Sequence, residues 1–298
     1  MTTLVSNLCT ASLGTLQRGI VNMNEVFSVL LKRDVLKVEG PEAATFLQGQ
    51  VSQEVETLQP GQSAFSFLLE PRGQIEGFFR VSRADTNLFY LDTEPMFGAA
   101  LRASLERFKL RTKAEFTDLE WEMLAVRGVD EISETFVADL VAPAFWPGMA
   151  GFDLLGSSVS SPIRGETPGF YERARLTYGL PILGKEIMSG GIPNESGVLA
   201  MAVSFNKGCY RGQELVERIS ARKGARQQVQ RFKSTEELHA EDELYGENGE
   251  ILGKIYTATI EGDFSVAMGV AKAGFVNMCT SDGSLVSSSP ILDEIVER

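Results

Sequence analysis

Hydrophobic and polar positions along the chain change period several times, and each change marks an element. Residues 34–39, DVLKVE, alternate through Val35 to Val38 and run into Gly40-Pro41, where a proline at the first helical position is pre-set for helix entry. This predicts a strand followed by a short helix, PEAATFLQGQV, with Phe46, Leu47 and Val51 on one side and Gly49 near its end. The apolar runs AFSFLLEP and GQIEGFFRVSR flank Pro71-Arg72-Gly73, and NLFYLDT follows the turn-like Arg83-Ala84-Asp85, so an antiparallel meander is expected. After Pro95, Phe97, Leu101, Leu105 and Phe108 recur at helical spacing and give the clearest amphipathic helix.

A second round follows: WEMLAVRG as a strand, EISETFVADL as a helix, FDLLG as a strand, and a helix after Thr167-Pro168 carrying Phe170, Tyr171, Ala174 and Leu176. The architecture repeats without a sequence repeat. From about residue 226 the pattern breaks into short strands, VQRFK, ELYGENGEILGKIYTATI and FSVAMGVAK, with Glu247-Asn248-Gly249 and Glu261-Gly262-Asp263 as hairpin signals. The whole reads as an α+β protein ending in a small β-barrel, divided into residues 1–225 and 226–298.

Composition narrows the function. A chain of 298 residues is long for one core, and 43% hydrophobic with 23% charged residues is ordinary globular usage. A net charge of -12 repels phosphate backbones and anionic membrane at long range, so neither nucleic acid nor a membrane is an expected partner, although a local site for a small anion stays open. The three cysteines, Cys9, Cys209 and Cys279, lack the spacing of a disulfide framework or a metal site, and the single histidine, His239, sits in an acidic stretch. Free thiols and no resident metal are expected. The opening MTTLVSNLCTASLGTLQRG has neither a secretory nor a transit pattern, and no run approaches a membrane span, so the expected location is the cytoplasm.

One segment concentrates chemistry: Asn206-Lys207-Gly208-Cys209-Tyr210-Arg211-Gly212-Gln213-Glu214. In an extended or looped backbone Lys207 and Arg211 would flank Cys209 on its own face and favour its thiolate over a free thiol's pKa of about 8.5. Gly208 and Gly212 permit φ > 0 or close approach of another group. The competing reading is a cysteine packed as a small hydrophobe ahead of a helix starting near Gln213.

KGCYRGQE matches every fixed position of the K-G-C-[FY]-x-G-Q-E signature of the YgfZ family, which it resembles. FLQGQVSQEVETLQPG, ERARLTYGLPILGKEI with GIPNESGVL, and GEILGKIYTA with SVAMGVAKAG are similar to further blocks of that family and of the related glycine-cleavage T-proteins, covering roughly residues 30 to 275. The resemblance implies the T-protein fold: two interwoven ferredoxin-like units and a C-terminal β-barrel around a central channel. It implies a folate-binding accessory protein, with tetrahydrofolate as ligand, that supports assembly or repair of iron–sulfur clusters in client enzymes, including radical-SAM tRNA-modifying enzymes. Cys209 is then the functional thiol, and Lys207, Tyr210, Arg211, Gly212, Gln213, Glu214, Arg175 and Thr177 are the expected ligand-binding residues. The alternatives are a tetrahydrofolate-dependent aminomethyl transferase and a non-catalytic client-binding module.

Two departures bear on the transferase. The T-protein Asp-Asp pair falls on Gly77 and Phe78, with Glu76 near but out of register, and Thr177 stands where T-proteins carry a pterin-holding glutamate. Other residues read as structural: Trp121 and Trp146 as core, Cys9 and Cys279 as inert thiols, His239 as a surface side chain, and Arg218, Arg222 and Arg226 as a solvated helix face that could instead gather an anionic folate tail.

Overall fold

Two short apolar stretches separated by one arginine start the fold, and they end in different sheets. The structure, a computed structural model, describes residues 26–222 and 224–291; Cys9 and the opening segment lie outside them. In chain order come β1 (Phe27–Lys32), β2 (Asp34–Glu39), α1 (Ala43–Gln50), β3 (Ser63–Leu69), β4 (Ile75–Asp85), β5 (Leu88–Thr93), α2 (Gly98–Lys109), β6 (Glu115–Leu119) and β7 (Glu122–Arg127). Then follow β8 (Leu140–Pro143), β9 (Gly151–Gly156), α3 (Pro168–Tyr178), α4 (Leu199–Ala202), α5 (Gln213–Ser220) and the strands β10 (Gln227–Ser234), β11 (Glu243–Tyr245), β12 (Ile251–Glu261), β13 (Phe264–Lys272), β14 (Asn277–Cys279) and β15 (Leu285–Pro290).

β1 pairs with β7 in a four-stranded sheet ordered β1-β7-β9-β8, while β2 joins a five-stranded sheet ordered β3-β4-β5-β2-β6. The chain therefore crosses between sheets at Arg33 and returns between β6 and β7, which interweaves the two halves as the resemblance implied. The meander over residues 63–93 forms as read, and α1 and α2 cover its outer face through Phe46, Leu47, Leu101 and Leu105. The opposite face, with Phe65, Phe67, Ile75 and Phe78, packs on Phe27, Trp146 and Leu176 and reaches Val229, Val266 and Met268 of the last region. β10 to β15 close into a barrel ordered β10-β13-β12-β11-β14-β15 around Phe232, Leu244, Ile255 and Met278.

Residues 131–140 are a correction. The segment read as a helix is a run of turns with a bridge from Val137 to Ser160, and β8 starts at Leu140. Ile132 and Val137 are exposed, so a helix there would have had no apolar face to bury, and pairing of β8 with β9 captures Leu140 and Ala142. Cys279 lies buried in the barrel, His239 is exposed, and Trp146 is core, as read; Trp121 packs partly buried on Tyr90.

Candidate functional site

A network of buried charges sits where the chain crosses. Arg33 donates to Asp92 of β5 at 2.9 and 3.1 Å and pairs with Glu94. Asp92 also accepts from Arg80 of β4 at 2.9 and 3.2 Å, Arg80 reaches Asp153 of β9 at 2.6 Å, and Asp153 pairs with Arg127 of β7 at 2.8 Å. Arg80 thus joins the two sheets, and it also donates to the Pro143 carbonyl of β8. Burial pushes the Asp153 carboxyl up, but Arg127 and Arg80 outweigh it and hold the group below the usual carboxylate range.

This alternating chain of charges forms part of the wall of an interior cavity of about 30 Å³. Phe65, Phe78, Trp146 and Tyr171 supply its aromatic surfaces, and Leu180, Pro181 and Ile182 close one side. The Trp146 indole N–H, buried there, has no hydrogen-bond partner, and Arg127 stacks on the ring at 4.5 Å. Burial raises the Tyr171 phenol. Sequence reading missed this group, because its charges come from four separate strands and the residues flanking them, and no local motif records them.

A bulge in β4 decides what reaches the cavity from that strand. Leu68 pairs with Gly77 and Leu69 with Ile75, so Glu76 is the extra residue and turns toward α2, while Phe78 faces the cavity. Glu76 thus lies on the α2 side of the strand, away from the cavity. Its carboxylate binds Ser104 and Arg211 instead.

The signature loop lies at the surface. Cys209 is exposed, with Phe205, Asn206 and Gly208 exposed beside it, and it lines none of the described cavities. The expectation that Lys207 and Arg211 would flank the thiol is corrected: both cations turn inward. The Lys207 ammonium donates to the carbonyls of Gln48, Val51 and Gln53 at 2.7, 2.7 and 2.8 Å, which caps the C-terminus of α1. Burial pulls it down to about 8, against Glu54 and Glu56, so it remains charged at neutral pH. Arg211 donates to Leu69 O at 2.6 Å, to Glu76 at 2.6 Å and to Ser104 Oγ at 2.9 Å, and it stacks on Phe108 at 4.4 Å.

The other signature positions are also accounted for locally. Tyr210 is core, its hydroxyl buried without a partner and pushed up to about 12 by burial. Gln213 accepts from the Tyr210 N–H, and Glu214 is exposed in the first turn of α5. Gly212 has φ 80°, and a Cβ there would sit 2.5 Å from Glu70 O and 3.1 Å from Gly73 Cα, so glycine is required by the turn between β3 and β4. Gly208 faces open space.

Arg175 is buried and bonded within the chain. All five of its N–H groups are used, on Glu172, Glu186 and the Leu180 carbonyl, and it holds the 180–187 turn. Behind that turn lies a second cavity of about 140 Å³, lined by Glu186, Met188, Glu195, Gln227 and Tyr256. Thr177 donates to the Arg173 carbonyl one turn back. Helix α5 ends at Ser220, so Arg218, Arg222 and Arg226 are exposed but do not share one helix face. Among the described residues no group of three or more metal-ligating side chains could hold a metal ion, and no helix is long and apolar enough to cross a membrane.

No family model matches the chain. It is 26% identical over 226 residues to the mitochondrial iron-sulfur cluster assembly factor IBA57 homolog of Neurospora crassa, covering 67% of this chain and 52% of that one. It is 22% identical over 211 residues to the tRNA-modifying protein YgfZ of Klebsiella pneumoniae, covering 62% and 64%. The chain thus spans about half the length of the first relative and under two thirds of the second. Among solved structures, the glycine cleavage system aminomethyltransferase T of Bartonella henselae superposes with a TM-score of 0.74 at 21% identity, covering 90% of this chain and 86% of that one. The chain is thus similar in sequence to IBA57 and YgfZ proteins and in fold to the aminomethyltransferase T. Its fold is the T-protein fold.

Proposed function

We propose that this chain is an accessory protein supporting assembly or repair of iron–sulfur clusters in client enzymes, radical-SAM tRNA-modifying enzymes among them, with Cys209 as its working thiol. The observation that carries the reading is an exposed thiol on a loop anchored from within on both sides. A surface thiol meets another macromolecule more readily than it meets a ligand in the interior cavity, and a thiolate is both a nucleophile and a soft metal ligand. Cys209→Ala is expected to keep the fold, with an unchanged melting transition, and to fail to rescue a strain lacking the family member. Full rescue by that variant removes Cys209 from the mechanism.

Tetrahydrofolate is the ligand the fold family implies, and the interior cavity suits it in chemistry. Four aromatic walls can stack on a flat heterocycle, and the unpartnered Trp146 N–H would donate to a ring acceptor. In room it falls short, since about 30 Å³ holds little more than water, so a bound pterin requires the Leu180–Ile182 wall to retreat. Calorimetric titration with tetrahydrofolate, repeated on Trp146→Phe, tests this: binding weakened about tenfold in the variant supports the site, and equal binding places the ligand elsewhere.

The aminomethyl-transferase reading ranks lower because Phe78, not an acid, faces the cavity from β4. A non-catalytic client-binding module predicts that Cys209→Ala still rescues. The acidic balance accompanies a cytoplasmic setting with no nucleic-acid or membrane partner in this proposal.

A further inference from the structure

The thiol-bearing loop has no regular structure of its own from Phe205 to Tyr210, so its conformation depends on what its flanking side chains grip. On one side the grip is Lys207 on backbone carbonyls, which any residues there would supply. On the other side it is a closed triangle of side chains. Arg211 donates to Glu76 Oε2 at 2.6 Å and to Ser104 Oγ at 2.9 Å, and Ser104 Oγ donates to the same Glu76 oxygen at 2.5 Å. The Arg211 side chain is 7% exposed, and Arg107 lies close enough to work against its charge, so Glu76, with a smaller contribution from Glu70, balances it. Glu76 can reach this position only because it is the extra residue of the β4 bulge; in a regular ladder it would share a face with Phe78.

We propose that Glu76, through Arg211 and with Ser104, is a positioning residue that fixes the direction in which Cys209 projects. The inference rests on Cys209 being the working thiol. Loss of the carboxylate removes the ion pair and leaves Arg211 on the Leu69 carbonyl, Ser104 and the Phe108 ring, which loosens the segment from Cys209 to Gly212 beside the backbone bond from the Arg211 N–H to Gly49 O.

The test uses the full chain with Cys9→Ser and Cys279→Ser, carrying a nitroxide on Cys209, and reads the spectrum by electron paramagnetic resonance. Glu76→Gln is expected to shorten the rotational correlation time of the label about threefold, and the swapped pair Glu76→Arg with Arg211→Glu to restore it. If Glu76→Gln does not fold, Ser104→Ala, which keeps the ion pair and removes two hydrogen bonds, is expected to give a smaller increase in mobility. Unchanged label mobility in the folded variant overturns the proposal, as does a swapped pair that folds but stays mobile. Rescue assays run in parallel on Glu76→Gln and Cys209→Ala keep the two ideas apart: rescue by Cys209→Ala defeats the functional reading whatever the label shows, and an immobile label defeats the positioning role whatever the strain does.

Discussion

The crossover at Arg33 and the loop at Cys209 both gather cations, yet they use them in opposite ways. At the crossover, Arg33, Arg80 and Arg127 meet Asp92, Glu94 and Asp153 inside the protein, with charge matched by charge. At the loop, Lys207 is held by carbonyl dipoles and Arg211 bonds one carboxylate, and a thiol is left facing solvent. The first arrangement joins two sheets around a small aromatic cavity. The second fastens an irregular segment onto a rigid frame. Strong local motifs therefore mark the surface chemistry, whereas the interior chemistry is assembled from scattered strand positions.

Breaking the crossover should have the largest effect. Asp153→Ala leaves Arg80 and Arg127 buried without their shared partner and should cost about 3–5 kcal/mol in urea denaturation. Because the Asp153 pKa is lowered in the folded protein, its contribution is complete above about pH 4 and fades as pH falls through the native value. Asp153→Asn should accordingly flatten the acid limb of the stability curve below about pH 4, and an unchanged limb would place the acid sensitivity elsewhere.

The loop's frame comes next. Gly212→Ala should cost about 2 kcal/mol or more, from φ 80° and a Cβ 2.5 Å from Glu70 O, while Gly208→Ala, in open space, should stay within about 0.5 kcal/mol. Equal losses from both would mean that the loop is held differently from this account. Lys207→Met should cost about 1–3 kcal/mol by leaving three carbonyls without their shared donor. Trp146→Phe, which removes one unpartnered N–H, should change stability by less than about 1.5 kcal/mol while weakening folate.

Much of the frame was legible along the chain. The meander of β3, β4 and β5, the helices α1, α2 and α3, and the barrel strands announce themselves through period, proline and glycine. What escaped was β1, β6, β8 and the last two strands, which are short, polar or serine-rich and exist because a distant partner supplies their ladder. The false helix at 131–140 failed for the same reason, since nothing beside it offered a surface to bury. The signature KGCYRGQE located Cys209, but face-sharing by spacing misjudged Lys207 and Arg211. Long side chains go where partners are, and α1 and Glu76 lay inward.

By itself the sequence determined the alternation that builds each sheet, the acidic balance, the glycines at tight turns and the resemblance that the signature carries. Only the tertiary structure decided which face each cation serves, that a bulge turns Glu76 away from the cavity, and that residues from β4, β5, β7 and β9 meet beside Arg33. The physical reason is range. Period and propensity act over a few residues, whereas charge pairing and burial join whatever the fold brings within about 3 Å, however far apart it lies in the chain.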